Sequence, residues 1–442
     1  MEPQENPAVF VSIHPGPVIW RFFYTTFFLP PLWLFFQAFG LINSKVRKGW
    51  QGRSRVFSDL EEFNRTHPGG SRLWVHASSM GEFEQAKPII NALKAAHPDI
   101  NVLCTFFSPS GYENNRSYIG ADGIFYLPFD WPGNAERFLN LAKPQAALFI
   151  RYDVWPNFIH ACDRASVPVI LASATLRKDS LRLLPIAKAF HRKLYSHFDA
   201  ILTVSNNDAE TFKQFGLEGV RIEAIGDTRF DRVSVRAKNA SRSPLLPEAF
   251  TSDSVVVTVG SSWREDEDRY LPGLISLLES NNRLKAVIVP HEPEEDHLKE
   301  LEQSLPESLN AARFSKYSGS ELTRCILVDS IGKLLALYAS ADIAFVGGGF
   351  KSNVHNTLEP AAYGIPVVYG PKIHNSQEAR ALAESGGGYI VDSAEACSEV
   401  LTRLTADEGA RLESGKAAGE FVSSRTGATG SVLDTIAPML GR

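Results

Sequence analysis

A carboxylate opening a helix, directly behind a short apolar strand, is the first group in this chain placed for acid–base work. The run His76-Ala77-Ser78-Ser79-Met80-Gly81-Glu82 sets Glu82 on a glycine turn. A carboxylate there can take a proton from an attacking hydroxyl, provided the two lie within hydrogen-bond reach. The same position serves a plainer purpose, because an acid in a first helical turn complements the helix dipole. Other polar groups follow strands in the same way. Thr105 to Gly111 carries Ser108, and Asp153 opens Asp153-Val154-Trp155-Pro156-Asn157, where its partners would be sugar hydroxyls or a helix cap. Arg229, within Gly226 to Asp231, suits an anionic ligand or an ion pair with Asp231.

The second half of the chain holds a different kind of chemistry. Gly347-Gly348-Gly349-Phe350 follows an apolar strand, and a helix is expected to open near Asn356 with Glu359 in its first turn. Glycines after a strand let backbone approach a ligand, and a helix N-terminus offers N–H groups to an anion. A carboxylate on that turn can hold ribose hydroxyls, so the stretch reads as a nucleotide or nucleotide-sugar site, or as an ordinary turn capped by Asn356. Ser261 and Ser262 after Gly260 suit a phosphate weakly. His291 and the Asp329 to Gly332 turn also stand at strand ends. There is no GxxxxGK[ST], no HExxH and no DxD-like cluster, so the simpler mechanism uses no metal and no P-loop. Helix ends and basic side chains would then stabilise a departing nucleotide.

The elements that must position these groups alternate between strand and helix. Leu73 to His76, Asn101 to Thr105, Ile124 to Leu127, Ala146 to Ile150, Val169 to Ala172 and Ala200 to Val204 are short apolar runs with helical pattern between them. A polar, proline-containing stretch interrupts, and the series resumes at Val255 to Val259, Lys285 to Val289, Cys325 to Val328, Ile343 to Val346, Val367 to Tyr369 and Tyr389 to Val391. Such alternation predicts an α/β fold of two doubly wound, Rossmann-like domains facing a cleft, with ligands outside the carboxyl ends of the strands. The expected boundaries are an anchor at 1–44, a first domain at 45–235, a linker at 236–248 and a second domain at 249–442.

The 442 residues are 44% hydrophobic and 21% charged with a formal net charge of −5, which suits a packed enzyme and argues against a nucleic-acid partner. Four widely spaced cysteines form no CxxC pair and fit a reducing compartment. Val18 to Ile42 is dense in aromatic and aliphatic residues, although Arg21 and Pro30-Pro31 interrupt it. Lys45, Arg47, Lys48, Arg53 and Arg55 follow with no acid among them. Basic residues beside a hydrophobic segment stay on the cytoplasmic side and favour anionic lipid. A membrane anchor, spanning or half-inserted, is the expectation, with the rest of the chain in the cytoplasm; the alternative is an apolar helix packed against the first domain.

Several separated segments together resemble one family, the 3-deoxy-D-manno-octulosonic acid (Kdo) transferases of lipopolysaccharide synthesis. They are KVRKGWQGR (Lys45 to Arg53), HASSMGE (His76 to Glu82), SPSG (Ser108 to Gly111), YLPFD (Tyr126 to Asp130), WPN (Trp155 to Asn157), GDTRFD (Gly226 to Asp231), DSIG (Asp329 to Gly332), ADIAFVGG (Ala341 to Gly348) and HNTLEPAAYGIPV (His355 to Val367). The resemblance implies a glycosyltransferase-B fold, CMP-Kdo as donor, a lipid A precursor as acceptor, and work at the inner membrane without a metal or other cofactor. It implies Glu82 as the general base of an inverting transfer. It maps donor contacts onto Gly332, Gly347, Gly348, Gly349, Asn356 and Glu359, and Arg229, Ser261, Ser262 and His291 are the further donor-side candidates. Acceptor or sugar contacts fall on Ser79, Gly81, Ser108, Asp153, Lys45, Arg47, Lys48 and Arg53. The chain departs from the family pattern at several places: Arg151-Tyr152-Asp153 stands for E-T-E, Arg229 for a lysine, His291-Glu292-Pro293-Glu294 for R-H-P-E, and Lys333 for a glutamate. A UDP-sugar transferase of the same fold and a non-catalytic lipid A-binding relative are the competing readings.

Overall fold

The computed structural model describes residues 16–241, 245–320, 322–374 and 376–441. The first fifteen residues of the expected anchor lie outside them. Seven strands form a first sheet: β1 (Arg72–His76), β2 (Asn101–Phe106), β3 (Gly123–Tyr126), β4 (Ala146–Ile150), β5 (Val169–Ala174), β6 (Ala200–Thr203) and β7 (Arg221–Ala224). Seven more form a second: β8 (Val255–Ser262), β9 (Leu284–Pro290), β10 (Ala312–Arg313), β11 (Cys325–Leu327), β12 (Ile343–Val346), β13 (Val367–Tyr369) and β14 (Gly388–Ile390). Their orders are β3-β2-β1-β4-β5-β6-β7 and β10-β11-β9-β8-β12-β13-β14, and all pairings are parallel.

Parallel strands are covered on both faces, so their sequences read as unbroken apolar runs. β4 and β9 are buried at every position. That is why the central strands are visible in the sequence. β7 is not: its residues alternate exposed and half-buried at the sheet edge, and β10 has only two residues.

The chain divides into two compact units, 1–229 with 427–442, and 230–426. This departs from the expected boundaries. Thr228–Ala240 is a helix where a linker was expected to begin. The last residues return to the first unit because Val432, Ile436 and Leu440 are buried in the core cluster that holds Leu73, Ile89 and Ile90. A second cluster on the other face of the first sheet centres on Trp74, Phe138 and Phe158, and β8, β9 and β12 pack under Tyr270 and Leu274 in the second unit.

The N-terminal segment is helical from Gly16 to Ile42, with a π turn at Tyr24–Phe28. Pro30 and Pro31 lack amide hydrogens. A widened turn just ahead of them lets Leu29 N–H donate to the Tyr24 carbonyl, so the prolines are passed without a break. Trp20–Ile42 is long and apolar enough to cross a membrane, and only 11% of its most apolar window is buried. Yet it is held to the first unit along its length. Arg21 Nε donates to Asn157 Oδ1 at 3.0 Å and Tyr24 Oη to Asp130 Oδ2 at 2.9 Å. Farther along, the Trp33 and Phe36 rings meet Trp50 and Phe107. Asp130 is fully buried and also accepts the Asn157 and Phe158 amides, so one carboxylate ties this helix to the start of the helix Pro156–Arg164.

Candidate active site

In doubly wound sheets ligands bind outside the carboxyl ends, where neighbouring strands lead their crossovers in opposite directions. In the first sheet that point lies between β1 and β4. The residues there are Ser78 to Glu82 after β1 and Arg151 to Asp153 after β4, so the topology brings together groups about seventy positions apart. Glu82 is 5% exposed. Its Oε2 accepts the Ser78 amide at 2.6 Å, and its own amide reaches Ser79 Oγ at 3.4 Å. Ser79 therefore acts as the N-cap of the helix Met80–Ala96. The Ser78 amide, not the cap, holds the Glu82 carboxylate in one orientation.

Burial, first, and the Asp153 carboxylate, second, push Glu82 up to about 7, while the Ser78 and Ser79 amides and the Arg151 cation pull it down. Burial also raises Asp153 to about 6 against the pull of Arg182. Arg151 takes φ +74, the left-handed region, unusual for a side-chain-bearing residue. Its Nε is buried without a hydrogen-bond partner among the described residues. The departure from the family's E-T-E thus places a cation close enough to Glu82 to lower its pKa. A carboxyl poised near 7 beside a second acid and a cation is the environment expected of a general base.

Of the expected acceptor contacts, Gly81 has open space where a Cβ would stand. Ser108 is an N-cap, its Oγ accepting the Gly111 amide at 3.0 Å. Lys45, Arg47 and Lys48 are exposed. Arg53 is corrected: it does not face outward. Its guanidinium donates to the Leu127 and Phe107 carbonyls and lies 4.4 Å from the Phe107 ring centre. Burial lowers its pKa to about 10. Arg229 pairs with Asp227, its Nε lying 2.8 Å from Asp227 Oδ2.

The switch point of the second sheet lies between β8 and β12. Ser261, at φ +54, and Gly347 stand there. A Cβ on Gly347 would fall 2.3 Å from the Ser261 carbonyl, and one on Gly349 would fall 2.6 Å from Gly370 N. Close backbone packing therefore already demands these glycines. The amides of Gly348 and Phe350 are not open to a phosphate either. They donate to Asp266 Oδ2 and Oδ1 at 2.7 and 3.1 Å, and Trp263 N donates to the same carboxylate. These two amides are therefore spent inside the fold. Ser262 is likewise internal, donating to Glu267 Oε1 at 2.8 Å.

His291 is exposed and stacks on His355 with centroids 4.4 Å apart, and Trp263 covers His291's ring at 4.5 Å. Trp263 Nε1 donates to His355 Nε2 at 3.0 Å. Burial, His291 and Lys351 depress His355 to about 4, so it accepts that bond as a neutral ring. Gly332, at φ +79, sits on an exposed turn with open space around its Cα. The helix near Asn356 is only Leu358–Ala361. Asn356 Oδ1 accepts the Leu358 amide at 3.1 Å, and Glu359 stands 3.4 Å from Arg236. Four residues build little dipole, so Glu359 and Asn356 matter as side chains. Trp263 and Asp266 escaped sequence reasoning, and Arg151 was noted there only as a departure from the family pattern. Asp266 sits three residues after a tryptophan, and no Ser or Thr marks the cap it completes.

Comparison with known proteins places these two units. The profile of 3-deoxy-D-manno-octulosonic-acid transferase (kdotransferase) matches residues 47–232. The 3-deoxy-D-manno-octulosonic acid transferase of Aquifex aeolicus is 32% identical over 75% of this chain and 85% of its own. That of Haemophilus influenzae is 29% identical over 96% of this chain and 100% of its own. Among solved structures, the UDP-GlcNAc 2-epimerase of Neisseria meningitidis aligns with TM-score 0.57 at 15% identity, covering 83% of this chain and all of that one. This last likeness speaks to the fold alone, two doubly wound units of the glycosyltransferase-B kind. The chain belongs to the 3-deoxy-D-manno-octulosonic acid (Kdo) transferase family and is a glycosyltransferase.

Proposed function

We propose that the chain moves Kdo from CMP-Kdo to a sugar hydroxyl of a lipid A precursor, with inversion and with Glu82 as the base. The observation that carries the reading is the buried carboxylate at the β1/β4 switch point, fixed by Ser78 and raised to about 7. Its ionised form accepts the hydroxyl proton as the oxygen attacks the anomeric carbon and the bond to CMP breaks on the opposite face. The proton ends on Glu82 and the electron pair on the departing phosphate. No metal enters this account.

Donor recognition is assigned to the second unit. Ser261, Gly332 and the exposed face of His291 stand at its strand ends, and Glu359 is the candidate for the ribose hydroxyls. A lipid acceptor is supported by an apolar groove of about 1110 Å³ in the first unit. It runs from Phe23 and Phe27 past Leu184 and Ile186 to Asp153, so acyl chains would lie along it with the sugar toward the acids. The N-terminal helix, secured at both ends and exposing Phe22, Phe27 and Phe35, suits a place in the lipid headgroup layer rather than across the bilayer. The cytoplasmic face of the inner membrane is the proposed location.

Incubation with CMP-Kdo and tetraacylated lipid A precursor tests this, with products read by mass spectrometry. Kdo-bearing lipid and free CMP are expected. Consumption of a UDP-sugar instead, or no glycolipid product from a folded protein, would refute it.

A further inference from the structure

Beside the apolar groove, on the neighbouring face of the N-terminal helix, lies a hollow of different character. It measures about 550 Å³ and is lined by Arg21, Arg164, Lys193, His160 and His197, with Thr25 from the helix side. The acid on its wall, Asp163, lies 3.3 Å from His197 Nδ1. The His197 side chain is 10% exposed, and its Nε2 is buried with no hydrogen-bond partner among the described residues. A buried ring nitrogen left unmatched is costly, and such a group calls for an explanation. The Lys193 ammonium makes no ion pair or hydrogen bond among the described residues. His160 meets His197 edge to face at 4.7 Å. Burial holds it neutral, at about 4, and His197, Arg21 and Lys193 add to that depression while Asp163 opposes it. Arg21 and Arg164 are partly engaged, with Asn157 and Glu136. The cations that line the hollow outnumber its one acid, Asp163.

We propose that this hollow binds the phosphate of an anionic phospholipid headgroup from the bilayer in which the N-terminal helix lies. A phosphate oxygen would sit among Lys193, Arg21 and the two imidazoles. His197, whose Nδ1 stands 3.3 Å from Asp163, would turn its otherwise unpartnered Nε2 to that oxygen. The flank formed by Phe22 and Thr25 points to a lipid rather than a free ion, because the acyl chains leave the hollow along the apolar helix. The assignment rests on the interfacial placement of that helix and not on the transfer reaction.

Native mass spectrometry of the full chain, released from detergent with equal phosphatidylglycerol and phosphatidylcholine, tests it. One phosphatidylglycerol should be retained in about fivefold preference, the effect of one cation at a membrane surface. The double variant Lys193→Gln, His160→Gln should fall to parity. Parity in the wild type, or a preference that survives in the variant, would overturn the proposal. Binding of inorganic phosphate without any lipid preference would overturn it as well. Flotation on neutral phosphatidylcholine vesicles reports the helix separately. Wild type and variant should both float, and failure of both would count against the helix placement rather than the hollow.

Discussion

Replacing Glu82 with glutamine should lower kcat/KM for Kdo transfer by about three orders of magnitude, within the range that a positioned general base contributes. The fold should be nearly unaffected. The amide oxygen of glutamine can still accept the Ser78 hydrogen that Oε2 now receives at 2.6 Å, and the Ser79 cap does not depend on the charge. What glutamine cannot do is accept a proton from an acceptor hydroxyl. If Glu82 served only the helix Met80–Ala96, the outcome would be reversed. Stability would fall by about 0.3–1 kcal/mol through the lost charge–dipole interaction, and transfer would continue. Steady-state kinetics paired with thermal unfolding separates the two cases.

Asp266→Ala is expected to have the largest effect on stability. One carboxylate receives the amides of Trp263, Gly348 and Phe350, and so joins the first turn of the helix Arg264–Ser280 to the glycine turn behind β12. Each buried donor left without a partner costs about 1–3 kcal/mol. The variant should therefore lose about 3 kcal/mol or more in denaturant unfolding. Amide exchange at Gly348 and Phe350 should accelerate together, because the turn loses its support. Unchanged protection there would contradict the role given to Asp266. The loss would appear although Asp266 is not proposed to touch substrate, because the carboxylate supports the glycine turn from behind.

The sequence made the central strands legible because burial on both faces leaves unbroken apolar runs, as in Ala146–Ile150 and Leu284–Pro290. The same physics hid β7, whose half-exposed residues carry no such run. Domain boundaries were less legible. The end of the helix Thr228–Ala240 is polar enough that the linker was expected from 236, and nothing local in Val432 or Ile436 says that they pack in the first unit's core. At the site, Glu82 and Asp153 could be found from their positions after strands. Their mutual effect could not, since it depends on β1 and β4 being neighbours. The glycine turn was ambiguous in the sequence because glycine serves ligand approach and backbone packing equally well. Only the 2.3 Å distance from a Gly347 Cβ to the Ser261 carbonyl shows that packing requires it. Arg53 misled for a related reason: a cation in a basic run is expected outside, and this one satisfies carbonyls within the fold.

The shifted carboxyl also links activity to pH with a definite sign. Glu82 lies at about 7 against an ordinary 4.5, so the fold favours its protonated form. That contribution to stability is complete below about pH 4.5 and is lost as pH rises through about 7. Activity runs the other way, because only the ionised form is a base. The most direct test is the pH dependence of kcat/KM in the wild type, Asp153→Asn and Arg151→Ala. The account predicts an acid limb near pH 7 that moves down when the like charge of Asp153 is removed and up when the Arg151 cation is removed. An acid limb near 4.5, or one that neither substitution moves, would contradict Glu82 as the base.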